Sequence, residues 1–219
     1  MIRAAISKLR VTRRKRRFDY HGKFIVVTGG AGGIGSAFAR RAANRGATLV
    51  IVDLDEIRAK SLLTELPLAQ PQHLAVRADL TDQEQIAAAV ARIEAHCGRI
   101  DVLVNNTGMT STERFGDRSL ASMEHEILVN ALSPLYVTRL ALPLLRRAAD
   151  PRVISTVSLA GIFPQAETPI YCASKFALRG AMLSIAIDLR AEGITVGSVL
   201  PSATDTRMLH REAITGGNL

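Results

Sequence analysis

"KFIVVTGGAGGIGSAFARRAANRGATLVIVD", residues 23–53, holds two short β-branched runs, a glycine cluster and a stretch of helical composition between them. Neither apolar run alternates with polar residues, so both strands are expected to be covered on two faces, as in a parallel sheet. Strand, tight turn, helix and strand make one βαβ unit. The alternation continues through "DEIRAKSLLTEL", "HLAVRADL", "DQEQIAAAVARIEAHCG", "IDVLVNN", a long helical stretch over about 120–149, "RVISTVS", "YCASKFALRGAMLSIAIDLRAEG" and "ITVGSVLP". Six strands alternating with five helices predict an α/β fold, a doubly wound parallel sheet between helical layers. Thr81 is expected to cap the helix over "DQEQ" and Gly98 to end it.

The glycines lie where the first strand meets the first helix. A turn without side chains lets the backbone bend sharply and lets a pyrophosphate approach the helix N-terminus, whose unpaired N–H groups favour negative charge. Two registers fit a dinucleotide site: G-x-G-x-x-G on Gly30, Gly32 and Gly35, or T-G-x-x-x-G-x-G on Thr28, Gly29, Gly33 and Gly35. Asp53 ends the second strand, where a carboxylate accepts from the ribose hydroxyls of the adenosine half and repels an added phosphate. NAD is therefore expected rather than NADP. Asp55 is the better candidate for capping the next helix.

The chain has 219 residues, 47% of them apolar, enough for one buried core. Its formal charge of +8 is concentrated in residues 1–17, which carry eight cations and no acid, whereas the rest carries 20 basic and 20 acidic groups. A basic arm over 1–22 and one dinucleotide-binding and catalytic domain over 23–219 are expected, with no specific nucleic-acid binding by the neutral body. Within 1–17, Ile2, Ala5, Ile6 and Leu9 would share one helical face, which suits weak contact with an anionic membrane surface. Cys97 and Cys172 form no C-x-x-C pair, and the five histidines lack ligand spacing, so a reducing, cytoplasmic setting and no metal are expected. The apolar runs read as shorter than the roughly 18 residues of a membrane span.

"NNTG" at 105–108 and the spacing Ser158, Tyr171, Lys175 complete the set. With the glycine turn, in this order, the chain over about 24–206 resembles the short-chain dehydrogenase/reductase family. The resemblance implies a Rossmann-like strand order 3-2-1-4-5-6 and hydride transfer between a nicotinamide cofactor and a secondary alcohol or ketone. It implies that Thr28, Gly29, Gly33, Ile34 and Gly35 line the pyrophosphate, Asp53 the adenosine ribose, and Asp79 with Leu80 the adenine. Asn106 and Gly108 would lie beside the cofactor, with Pro201 near it and Thr206 at the nicotinamide amide. Ser158 would bind the substrate oxygen, Tyr171 act as acid and base, Lys175 hold the nicotinamide ribose, and Asn130 anchor a water that relays protons. Thr107 and Ser202 depart from the family's alanine and glycine.

The chemistry of the pair follows from spacing. Tyr171 and Lys175 are four apart on a helix and share a face. Bringing a phenol of pKa about 10 near 7 takes roughly 4 kcal/mol, and one ammonium about 4 Å away supplies roughly that much. Met109, Thr110, Phe115, Ile162, Phe163 and Met208 could form an apolar wall for a hydrophobic substrate. A homodimer or homotetramer through the helices near 120–149 and 171–192 is implied by the resemblance. The sixth strand is expected to need cover on its outer edge. Two alternatives stand beside the enzyme: a non-catalytic NAD-binding scaffold, and an acyl-carrier-type ketoreductase whose acidic partner would suit the basic arm.

Overall fold

The computed structural model describes residues 18–166 and 168–214, so the basic run 1–17 and its expected amphipathic face lie outside the described residues. Six strands, β1 (Phe24–Thr28), β2 (Thr48–Asp53), β3 (Leu74–Arg77), β4 (Val102–Asn105), β5 (Arg152–Thr156) and β6 (Thr195–Val199), form one sheet. Its order is β3-β2-β1-β4-β5-β6 and every pairing is parallel. The step from β3 across to β4 reverses the direction of winding beside β1. Along β1, Ile25 and Val27 face one layer and Val26 the other, which is why the strand shows no polar alternation.

Two helices, α1 (Gly33–Ala43) and α2 (Glu56–Thr64), cover one face through Ala39, Ala42, Ala59 and Leu62. The other face is covered by α3 (Gln83–Cys97), α5 (Ser133–Leu145) and α6 (Pro169–Asp188), whose Ile86, Ile93, Leu144, Leu178 and Met182 join Val50 and Val153. Asp55 caps α2, accepting from Arg58 N–H, and Gly98 ends α3 at φ 67°.

Four expectations are corrected. Asp82, not Thr81, caps α3, its carboxylate accepting from the N–H groups of Glu84 and Gln85, while the Thr81 hydroxyl donates to Asp79 Oδ1. The stretch over 120–149 is α4 (Leu120–Ile127), a π turn (Leu128–Leu132) and α5; Ser133 N–H bonds back to Leu128 C=O, five residues away. A further helix, α7 (Arg207–Ile214), follows β6. The stretches Leu120–Leu145 and Pro169–Glu192 are also long and apolar enough, by length and composition, to cross a membrane, with mean hydropathy 1.4 and 1.3. Both lie in the layer on the sheet, where Leu144, Leu178 and Met182 serve its core while Leu132, Leu183 and Ile187 stay exposed.

At the amino edge of the sheet, Asp101 is buried and accepts from Phe24 N–H, Lys23 Nζ and Arg99 Nε. Beside it Phe18 and Tyr20 pack edge to face and onto the core, under Arg152 and Arg45. Residues 18–22, placed with the arm by composition, are thus docked on the sheet. Asp101→Leu leaves these donors without their acceptor and is expected to cost about 1–3 kcal/mol of stability. The melting temperature is expected to fall; an unchanged one would show that Asp101 does not hold this edge.

Candidate active site at the carboxyl edge of the sheet

The carboxyl ends of β1, β4 and β5 are stitched together at the point where the winding reverses, the usual crevice for ligands in open α/β sheets. Thr28 Oγ1 accepts from the N–H groups of Asn106 and Thr107 at 3.0 and 3.3 Å. Asn106 Nδ2 donates to Gly29 C=O at 3.0 Å, and its Oδ1 accepts from Thr156 Oγ1 at 3.2 Å.

Between Thr28 and α1 the glycines leave a cradle. Gly29 has φ +59°, and a Cβ there would stand 2.9 Å from Thr107 Cα. A Cβ on Gly35 would stand 2.6 Å from Gly29 C=O and 2.7 Å from Asn106 Nδ2, and one on Gly33 would meet Thr206 Cγ2 at 2.6 Å. These are the glycines of the register on Thr28, Gly29, Gly33 and Gly35. In the other register Gly32 is looser, 3.2 Å, but Gly30 is as tight as Gly29, 2.9 Å from Ile51 Cγ2 and 3.0 Å from Val27 C=O, so the whole turn from Gly29 to Gly35 is kept free of side chains. A backbone kept clear of side chains at a helix N-terminus fits a pyrophosphate.

The neighbouring residues divide by what they can still offer. Ile34 lines an open cleft with Gly33, Thr204, Asp205 and Thr206. Asp53 stands at the end of β2, with Oδ2 accepting from Ala31 N–H and Oδ1 from Asp55 N–H. Asp79 accepts from Thr81, and the Leu80 side chain is buried in the core, so Leu80 can meet an adenine only through its backbone. Pro201 C=O accepts from Leu159 N–H, tying the exit of β6 to the loop after β5.

That loop carries Ser158, whose Oγ accepts from Ala160 N–H at 3.1 Å and keeps its own proton to donate. Tyr171 and Lys175 lie in the first turns of α6, with Lys175 Nζ 5.5 Å from the Tyr171 ring centre. Lys175 is 3% exposed, and Nζ donates to Thr156 C=O at 3.1 Å. Burial lowers its pKa to about 8, with the charge of Glu126 opposing the fall. Holding that ammonium inside costs about 3 kcal/mol at neutral pH. The cost is full below pH about 8 and disappears as pH rises past the unfolded lysine value.

Gly108 faces both groups, since a Cβ there would lie 3.4 Å from Lys175 Nζ and 3.3 Å from Asn130 Oδ1. Asn130 sits in the π turn, fully buried. Its Nδ2 donates to Met109 C=O and Ser174 Oγ, and its Oδ1 accepts from Met109 N–H. Three of its four side-chain positions are thus taken, pinning the stretch after β4 to α6 and leaving one acceptor position on Oδ1. Of the expected apolar wall, Phe115 and Phe163 are 61% and 62% exposed, whereas Met109, Thr110 and Met208 are half-buried. Arg118 and Glu126, both buried, were passed over. A lone carboxylate in the apolar run "HEILVNAL" was the signal.

A doubly wound sheet, a side-chain-free turn at its crevice and a tyrosine–lysine pair beside it define an α/β enzyme that works with a bound dinucleotide. The family model for short chain dehydrogenase matches residues 23–215. The chain is 32% identical over 185 residues to a 2,5-dichloro-2,5-cyclohexadiene-1,4-diol dehydrogenase of Sphingobium indicum, covering 84% of this chain and 74% of the relative. It is 32% identical over 198 residues to 15-hydroxyprostaglandin dehydrogenase [NAD(+)] of Mus musculus, covering 86% and 70%. The solved structure of a 3-ketoacyl-(acyl-carrier-protein) reductase from Brucella melitensis complexed with NADH is similar at TM-score 0.82 and 27% identity, covering 91% of this chain and 86% of that one. The chain belongs to the short-chain dehydrogenase family and is an NAD(P)-dependent oxidoreductase acting on the CH–OH group of an alcohol or the matching ketone.

Proposed function

We propose that this oxidoreductase prefers NAD and interconverts a secondary alcohol and a ketone on a hydrophobic body, with Tyr171 as acid and base. The observation that carries the proposal is the buried Lys175 ammonium beside Tyr171, next to the glycine cradle. The bound nicotinamide supplies the hydride acceptor or donor. Ser158 donates its hydrogen bond to the substrate oxygen, and Tyr171 takes the hydroxyl proton or returns it. Lys175 favours the phenolate by charge and holds the nicotinamide ribose. Thr28, Gly29, Gly33, Ile34 and Gly35 would cradle the pyrophosphate, with Asp79 and Leu80 at the adenine. Asn106 and Gly108 would line the nicotinamide side, with Pro201 and Thr206 closing over it.

Preference for NAD rests on Asp53. Its carboxylate ends β2, where a second negative group would be repelled, and the mouse relative and the Brucella structure are named with NAD and NADH. Asp53→Ala is expected to lower the ratio of kcat/KM for NAD over NADP by about tenfold to a hundredfold, because like charges brought together cost on the order of kcal/mol. An unchanged ratio would remove Asp53 from cofactor choice.

A homodimer or homotetramer is supported by the exposed Phe176, Leu183 and Ile187 on α6 and Leu132 beside it, and sedimentation at micromolar concentration tests it. Residues 1–17 are proposed to touch an anionic membrane surface weakly while the enzyme stays cytoplasmic; liposome binding with and without them decides. Likeness to the Brucella reductase supports a second substrate class, a 3-ketoacyl thioester on an acidic carrier, which that basic run would suit. Turnover of carrier-bound against free ketones separates the two.

A further inference from the structure

Among the described residues four charged side chains are buried: Asp101, Arg118, Glu126 and Lys175. Asp101 serves the amino edge of the sheet, and Lys175 belongs to the catalytic pair. Arg118 and Glu126 have no part in the chemistry above, and they lie at the far end of the loop that leaves β4.

That loop, residues 109–118, starts beside the reacting groups. Gly108 faces Lys175 Nζ and Asn130 Oδ1, and Met109 exchanges two hydrogen bonds with the Asn130 amide, both at 2.8 Å. Its last residue is held as firmly as its first. Arg118 Nη1 donates to Glu126 Oε2, and Nη2 donates to Ser122 C=O and Ser122 Oγ at 3.1 and 2.9 Å. Glu126 and Asn130 are four residues apart on one helical run, so the two ends of the loop are gripped about one turn from each other. Between the grips Glu113 N–H donates to Ser111 Oγ at 3.3 Å and Asp117 N–H to Arg114 C=O at 3.0 Å, while Arg114 and Phe115 are exposed.

Replacing a buried ion pair by apolar side chains of similar volume is often neutral or stabilising, so stability does not account for these two charges. Direction does. A guanidinium is a rigid planar fork, and with Ser122 and Glu126 both on its prongs Arg118 leaves the loop one register on α4, which an apolar contact would not impose.

We infer that Arg118 and Glu126 are positioning residues for the substrate: their ion pair clasps residues 109–118 to α4, so that the wall the loop presents beside Lys175 is preformed, and with it the choice among alcohols of different bulk. The inference rests on the Tyr171 and Lys175 site as proposed.

Arg118→Met/Glu126→Met removes the clasp at similar volume and leaves no orphaned charge. Trypsin cleavage after the exposed Arg114, followed by fragment mass, is expected to be about tenfold faster than in the wild type, because the loop opens locally. With propan-2-ol and 1-phenylethanol as probes, the ratio of their KM values is expected to change by about fivefold to tenfold while kcat stays within about twofold, as when binding alone is altered. An unmoved cleavage rate, an unmoved KM ratio, or a fall in kcat with KM unchanged each overturns the inference. If the double variant does not fold, Arg118→Lys, which keeps the charge and loses the fork, carries the same expectations in smaller size, and unmoved values there overturn it. Tyr171→Phe separates the premises. Retained turnover rejects the site and this inference together, whereas lost turnover with an unmoved KM ratio in the clasp variant rejects this inference alone.

Discussion

Tyr171→Phe is expected to lower kcat by about 10²–10⁴-fold, the range a positioned acid or base commonly supplies, while leaving NADH affinity within a few-fold of the wild type. The substitution removes one oxygen and keeps the ring that stands over Lys175. Helix α6 is held by Leu178 and Met182 in the core, away from the hydroxyl, so the fold should not change. Single-turnover rates beside equilibrium titration of NADH fluorescence make the distinction. A variant that binds and turns over normally would reject Tyr171 as the proton-transfer group. One that binds poorly would mean that the phenol holds the dinucleotide rather than the proton.

The second large effect belongs to the cradle. Gly35→Ala places a methyl 2.6 Å from Gly29 C=O and 2.9 Å from Gly30 Cα, which are backbone atoms with nowhere to turn. Overpacking of this kind costs about 1–3 kcal/mol, and because the displaced atoms form the turn itself, the cost is expected as a loss of NADH affinity of roughly tenfold to a hundredfold. Gly116→Ala, where nothing lies within 4 Å of the added carbon, is the control and should bind as the wild type does. Equal affinities in the two variants would show that the dinucleotide does not rest on this turn.

Much of this architecture was legible because it is local. Strands buried on both faces write themselves as unbroken apolar runs such as "ATLVIVD", and a pair four apart on a helix, Tyr171 and Lys175, is adjacent before any tertiary structure forms. What was misread depends on competition or distance. Thr81 and Asp82 are both good caps, and Asp82 takes the N–H groups because the Thr81 hydroxyl donates to Asp79. The segment Arg207–Ile214 is only eight residues long and rich in charge, two turns in which a helical period scarcely repeats. The Asn130 contacts join residues 21 and 44 positions away. Arg118 meets Glu126 across the start of a helix, and neither residue type advertises burial.

The π turn has a consequence for how this chain tolerates change in length. Five residues, Leu128–Leu132, close a ring that four would close in an ordinary helix, so the turn takes up one residue more than a regular helix would, ~100° of sequence phase. Removing one residue from 128–132 would let a regular helix run straight through while α4 and α5 keep their facing, because the wide turn is where the extra residue is absorbed. What would change is the turn itself, and with it the Asn130 amide that holds Met109. A change of one residue here, invisible to any measure of composition, is read at Asn130 and not along the two helices.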